Sequence, residues 1–147
     1  MSASNDFEND ILLLIFNNTD IANIGDAAGI QNSTTAGSLY VALHTADPGE
    51  AGNQSTNETT YTGYARVGVA RSGAGWTVTG NSVANAATVT FGTSTVGTPT
   101  ITHFSVGYES AGATKIAVSG ALNTSQVINV GGTPNTFAAG ALTTTVD

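Results

Sequence analysis

The chain has 147 residues, no cysteine, and a formal net charge of −7 set by ten acidic and three basic residues. That length suits one domain able to bury a core without staples, and the missing thiols exclude disulfides and thiolate metal sites. Three cations, Arg66, Arg71 and Lys115, are too few for the basic cluster that a nucleic-acid backbone or membrane surface requires, so neither partner is expected. Charged residues make up only 9%, so the surface must be mostly Thr, Ser, Asn, Gly and Ala, which suits packing against other protein.

One helix is predicted, from residue 6 to about 18. Asp6 is a suitable N-cap, and Glu8 and Asp10 place negative charge in the first turn, where it favours the helix dipole. Phe7, Ile11, Leu14 and Ile15 have the spacing of one helical face. The run Ile11 to Phe16 is wider than a single apolar stripe, which favours burial on two sides, one of them a partner. It is too short to span a membrane and follows acidic residues, unlike a signal peptide. A polar stretch to residue 37 completes an N-terminal helix-and-arm region.

From residue 38 to 147 the pattern changes to strands. Leu39, Val41 and Leu43 alternate with Tyr40, Ala42 and His44, the period of a two-faced strand. Asp47-Pro48-Gly49 is turn chemistry, and Glu50 to Thr60 reads as an exposed polar loop. Strands follow at Tyr61 to Arg71, Trp76 to Thr79, Val83 to Phe91, Ile101 to Tyr108 and Lys115 to Ala121. Shorter ones are expected at Val127 to Val130 and Thr143 to Val146. Seven to nine short strands at this spacing point to an all-β protein, a jelly-roll-like antiparallel β-sandwich with a short N-terminal helix, in one compact domain.

No residue pattern announces an enzyme. There is no Gly-x-Ser-x-Gly elbow, and Asp47, Glu50 and Glu58 fall in one polar loop, a poor platform for paired carboxylate chemistry. His44 and His103 lie in predicted strands and read as side chains satisfied by Thr or backbone, so no metal and no cofactor is expected. Trp76 with Tyr40, Tyr61, Tyr64 and Tyr108 could form a sugar-stacking patch, though core packing is the commoner use of such residues.

The blocks FNNTDIANIGDAAGI (16–30), LYVALHTADPGEAGNQSTNETTYTGYARV (39–67), GWTVTGNSVANAATVTF (75–91), ITHFSVG (101–107) and SGALNTSQVINVGGTPNTFAAGALTTTVD (119–147) cover most of the chain. Their order resembles a family of small tailed-bacteriophage virion proteins described as tail-fibre or head decoration (cement) proteins. The resemblance carries no catalytic residues. It implies a virion structural protein, and a small β-rich domain without shaft repeats suits a cement protein. Such a protein would clamp the outer surface of the major capsid protein shell as a homodimer or homotrimer. A tail or tail-fibre host-recognition protein is the alternative, and a carbohydrate-binding module a third reading. The residues expected to contact partners are Phe7, Ile11, Leu14 and Phe16 of the helix, and Asp47, Glu50 and Tyr61 around the long loop.

Overall fold

The computed structural model describes residues 2–146. It contains one helix, α1 (Asn5–Asn17), and nine strands: β1 (Ser38–His44), β2 (Val67–Ala70), β3 (Trp76–Thr79), β4 (Ser82–Asn85), β5 (Val89–Thr90), β6 (Thr100–Gly107), β7 (Ile116–Val127), β8 (Thr136–Phe137) and β9 (Thr143–Thr145). The paired strands form antiparallel sheets, so the fold is all-β and sandwich-like in class, with a short N-terminal helix. No helix among the described residues is long and apolar enough to cross a membrane. The chain packs as two compact units. One gathers Met1–Ser38, Ala70–Ala87 and Ala139–Asp147; the other gathers Leu39–Val69 and Thr88–Ala138.

In the first unit α1 lies against β3 and β4 of the sheet β3-β4-β9. The helix begins one residue earlier than expected, because Ser4 rather than Asp6 is the N-cap. The Ser4 hydroxyl accepts from the Phe7 N–H at 3.3 Å, which leaves Asp6 and Glu8 in the first turn. Asn18 ends the helix in the left-handed conformation, φ 56°. The buried stripe is Glu8, Leu12 and Phe16, not the Phe7–Ile11–Leu14–Ile15 face that spacing suggested. Residues 11–16 are apolar all round, so their periodicity could not choose a face. Trp76 chooses it: the Phe16 ring packs edge-on against the indole at 5.0 Å and 71°, and both side chains are 1% exposed.

The second unit holds the sheet β2-β1-β6-β7 and the ribbon β5-β8. β1 and β6 pair from Tyr40 opposite Gly107 to His44 opposite His103. Val41, Leu43, Ile101, Phe104 and Val106 form the centre of this core. Phe91 lies stacked at 6.0 Å from Tyr64 and edge-on to Phe137.

Two expected strands are shorter than their sequence pattern. Of Tyr61 to Arg71, only Val67–Ala70 is strand. The Tyr64 N–H instead closes a turn on the Tyr61 carbonyl at 3.0 Å. Within that turn Gly63 takes φ +102°, and a Cβ there would lie 2.2 Å from the Thr93 carbonyl oxygen. The expected strand from Val83 to Phe91 is split at 86–88. There the Asn85 side chain replaces ladder bonds, donating to the Ala87 carbonyl at 2.8 Å and accepting from the Leu142 N–H at 2.9 Å.

Candidate functional site

The loop between β1 and β2 is not a free polar excursion. It is tied down from within by Arg66, whose side chain is 2% exposed. Its Nε and one terminal nitrogen donate to the two oxygens of the Glu58 carboxylate, both at 2.7 Å. The same terminal nitrogen reaches the Gly112 carbonyl at 2.8 Å, and the other reaches Gln54 Oε1 and the Glu109 carbonyl, each at 3.2 Å. All five guanidinium protons are thereby used, in the planar fork that only arginine offers. The Glu58 carboxylate holds the guanidinium above its ordinary pKa, against the opposing effect of burial.

Glu58 also accepts from the Tyr64 hydroxyl at 2.9 Å, and that oxygen accepts the Leu43 N–H at 3.0 Å. Burial pushes the Tyr64 phenol well above its ordinary range, so it acts here as a neutral donor. Gln54, 0% exposed, donates to the Tyr40 carbonyl at 2.8 Å and accepts from the Thr114 hydroxyl at 2.9 Å. One cation thus joins the long loop, the 61–66 turn and the 109–114 turn.

Gly107 completes this arrangement by absence: a Cβ there would lie 2.1 Å from Gln54 Cδ. Gly107→Ala is expected to displace Gln54 and lower stability by about 1–3 kcal/mol, the range for overpacking, as read by urea denaturation. A Gln54→Ala/Gly107→Ala double variant should lose less than the sum of the two single losses, because the clash disappears.

His44 is sealed beneath the same loop. Its Nδ1 faces the Thr56 carbonyl at 2.8 Å and so carries the proton, while Nε2 lies 2.8 Å from Ser105 Oγ and accepts from it. His103 is likewise satisfied, 2.9 Å from the Thr102 hydroxyl. The Thr56 carbonyl and the Thr102 hydroxyl are partners of the anticipated kinds, backbone and Thr, while Ser105 is a further one. The serine–histidine pair has the spacing of a nucleophile and its base, and both residues are 0% exposed.

Burial lowers the His44 pKa below its usual value, with Arg66 and His103 acting in the same direction and the Thr56 bond and Glu58 opposing them. The unfolded chain therefore binds a proton that the folded chain refuses. The stabilisation from neutral His44 is complete above the unfolded value of 6.5 and is lost as pH falls toward the depressed folded value. Melting temperature is expected to fall as pH drops below the unfolded value of 6.5, with a shallower drop in His44→Gln.

The expected contact residues separate by exposure. Asp47 and Glu50 are exposed on the rim of the loop, where Asp47 holds its turn by accepting the Gly49 N–H at 2.8 Å. Tyr61 is only 5% exposed and donates to the Gly92 carbonyl at 3.0 Å, so it is a core residue and not a contact. On α1, Phe7 is 49% exposed and Ile11 and Leu14 are half-buried, so all three have accessible surface. Phe16 is withdrawn into the core and cannot serve a partner. Trp76 is withdrawn with it, which removes the main platform of the sugar-stacking reading.

Arg71 was not anticipated at all. Its Nε and a terminal nitrogen donate to the Ile15 and Leu14 carbonyls at 2.6 and 2.7 Å, and the other terminal nitrogen reaches the Ala36 carbonyl at 3.1 Å. α1 has no basic residue of its own in its last turn, and Arg71 supplies the missing positive charge from 56 residues away.

Comparison with known protein families matches residues 2–145 to the family described as podophage GP4 fiber I protein gp80. The chain belongs to this family. It is therefore a phage virion structural protein of the fibre group, and the Gp80 match runs through the helix, the Arg66-locked loop and every strand described above. No curated protein matches the chain significantly. The two arginines that organise the two units were hard to single out in advance. The one signal was their scarcity: a chain that keeps three cations has few to spend on its interior.

Proposed function

We propose that this Gp80-family chain is a non-catalytic structural subunit of a podophage tail-fibre assembly. It would meet neighbouring virion protein through the outer face of α1 and the Asp47–Glu50 rim. The observation that carries this reading is the match to a fibre protein family over residues 2–145. Two features of the molecule support it. Phe7 with Ile11 and Leu14 presents accessible apolar surface on a helix whose opposite stripe is already buried, the kind of surface that protein partners cover. The rim residues Asp47 and Glu50 stand on a loop locked from beneath, and a preordered loop loses little entropy on docking.

The expectation of a capsid cement protein on the major capsid shell is the competing reading. It draws on the same virion membership and on the weakly charged surface, which suits repeated packing against protein. Quantitative mass spectrometry of purified virions, with heads and tails separated, tests the proposal. Copies confined to the tail fraction support it. Copies confined to heads, at the numbers of a capsid lattice, would overturn it in favour of decoration. Within the tail assembly, Phe7→Asp/Ile11→Asp is expected to keep the fold and lose incorporation into particles.

A further inference from the structure

The end of β7 and the segment leading from it into β8, residues 126–136, fold around a pocket of about 300 Å³. Small-ligand sites begin at about this size. Its backbone is held by partners distant in sequence. The Ile128 N–H donates to the Pro99 carbonyl at 2.9 Å, the Gly131 N–H donates to the Ser94 carbonyl at 2.8 Å, and the Asn135 carbonyl accepts the Phe91 N–H at 2.9 Å. The side chains are not held in this way. Gln126, Asn129, Thr133 and Asn135 all line the pocket, and among the described residues none of the four side chains makes a hydrogen bond. Asn135 is the most exacting case, because its Nδ2 is buried with no acceptor. Folded proteins keep few such donors, since each one lowers stability. Gln54, in the same unit, shows the ordinary structural use of a carboxamide: it is bonded to Tyr40, Arg66 and Thr114.

The chemistry of the lining selects the ligand. No charged residue lines the pocket, and from residue 110 to 146 the single charged residue is Lys115. An anion would meet a chain of net charge −7 with no cation in the pocket to hold it, and a cation would find no carboxylate there. A flat aromatic ring would lack a stacking face, since no aromatic residue lines the pocket. What the pocket does offer is three carboxamides and a hydroxyl. Each carboxamide presents donors and an acceptor side by side, the complement of neighbouring hydroxyls that both donate and accept. Beside them Val127, 59% exposed, and Pro134 supply aliphatic surface for the C–H face of a ring. We propose that this pocket binds one uncharged sugar ring, held through its hydroxyls by Gln126, Asn129 and Asn135. The site shares no residue with the helix face, the loop rim or the Arg66 lock, and so stands whether or not the fibre reading holds.

Titration of the ¹⁵N-labelled full chain, followed by its amide NMR signals, tests this. The probes are glucose, galactose, mannose, rhamnose and N-acetylglucosamine at millimolar concentration, with glucuronate and a neutral Gly-Ser peptide beside them. At least one neutral sugar should give saturable shifts concentrated in residues 126–136. Glucuronate should bind more weakly than glucose. Asn129→Ala, at an exposed position, and Asn135→Leu should each weaken sugar binding by about 2- to 10-fold, the worth of one neutral hydrogen bond. Asn135→Leu should also keep or raise the melting temperature, because it removes a buried donor without an acceptor. A residue retained only for the fold would do the opposite. The absence of shifts in this segment with every sugar overturns the proposal, as does sugar binding that both variants leave unchanged. Tighter binding of glucuronate than of glucose overturns it too, and so does a response to the peptide alone, which would make this a peptide site.

Discussion

Arg66→Ala is expected to destabilise the protein by about 3–5 kcal/mol, the loss found when one member of a buried ion pair is removed and the other is left uncompensated. The damage has named components. Glu58 keeps a carboxylate, 14% exposed, with only the Tyr64 hydroxyl as donor. The Gly112 and Glu109 carbonyls and Gln54 Oε1 each lose a donor. A fall in melting temperature of roughly 10 °C follows for a domain of this size. Arg66→Lys should recover only a small part, because an ammonium cannot hold both Glu58 oxygens while reaching Gly112 and Gln54. Arg66→Met/Glu58→Leu should recover more than lysine does, since removing both charges leaves no stranded carboxylate. Calorimetry on the four proteins separates these outcomes. Equal losses in the lysine and double variants would show that the fork geometry matters less than the packed volume.

Phe16→Ala carries the second large effect, about 3–5 kcal/mol from a cavity beside Trp76. Phe7→Ala, nine residues earlier on the same helix, should change stability by no more than about 0.5 kcal/mol, as expected of a side chain 49% exposed. The pair is a direct test of which helix face is internal. Chemical denaturation of both variants suffices, and a larger loss at Phe7 than at Phe16 would reverse the orientation described above. The same comparison guards the functional reading. A Phe7 variant that fails in particle incorporation while folding normally points to a contact, whereas a Phe16 variant that fails says nothing beyond stability.

The sequence was most legible where alternation is strict and local. Leu39-Tyr40-Val41-Ala42-Leu43-His44 reads as a strand at sight and is one, and the same holds for Trp76–Thr79 and for the core of Ile101–Gly107. It was least legible where long-range partners outvote the local pattern. Tyr61-Thr62-Gly63-Tyr64-Ala65-Arg66 alternates well enough for a strand, but Arg66 gains more from Glu58 and Gly112 than a strand backbone could offer. The segment turns to bring it there. The helix was located correctly and rotated wrongly, because six consecutive apolar residues carry no phase information and Trp76 lies 60 residues further on. Exposure of Asp47 and Glu50 followed from turn chemistry. The burial of Tyr61 did not, since its hydroxyl is satisfied by a carbonyl 31 residues distant.

The Arg66 lock also orders events in time. Its ligand at Gly112 lies 46 residues downstream, so a growing chain exposes the whole Glu50–Thr60 loop before the group that fastens it has been made. At the ~5–20 residues per second of synthesis, that interval is about 2–9 s. Closing a loop of that length precedes any reward from the contact, so the lock belongs to the late, slow part of folding. Until the 109–114 turn arrives, Arg66 has only its local partners Glu58 and Gln54, and the Gly112 and Glu109 acceptors that complete the lock are missing.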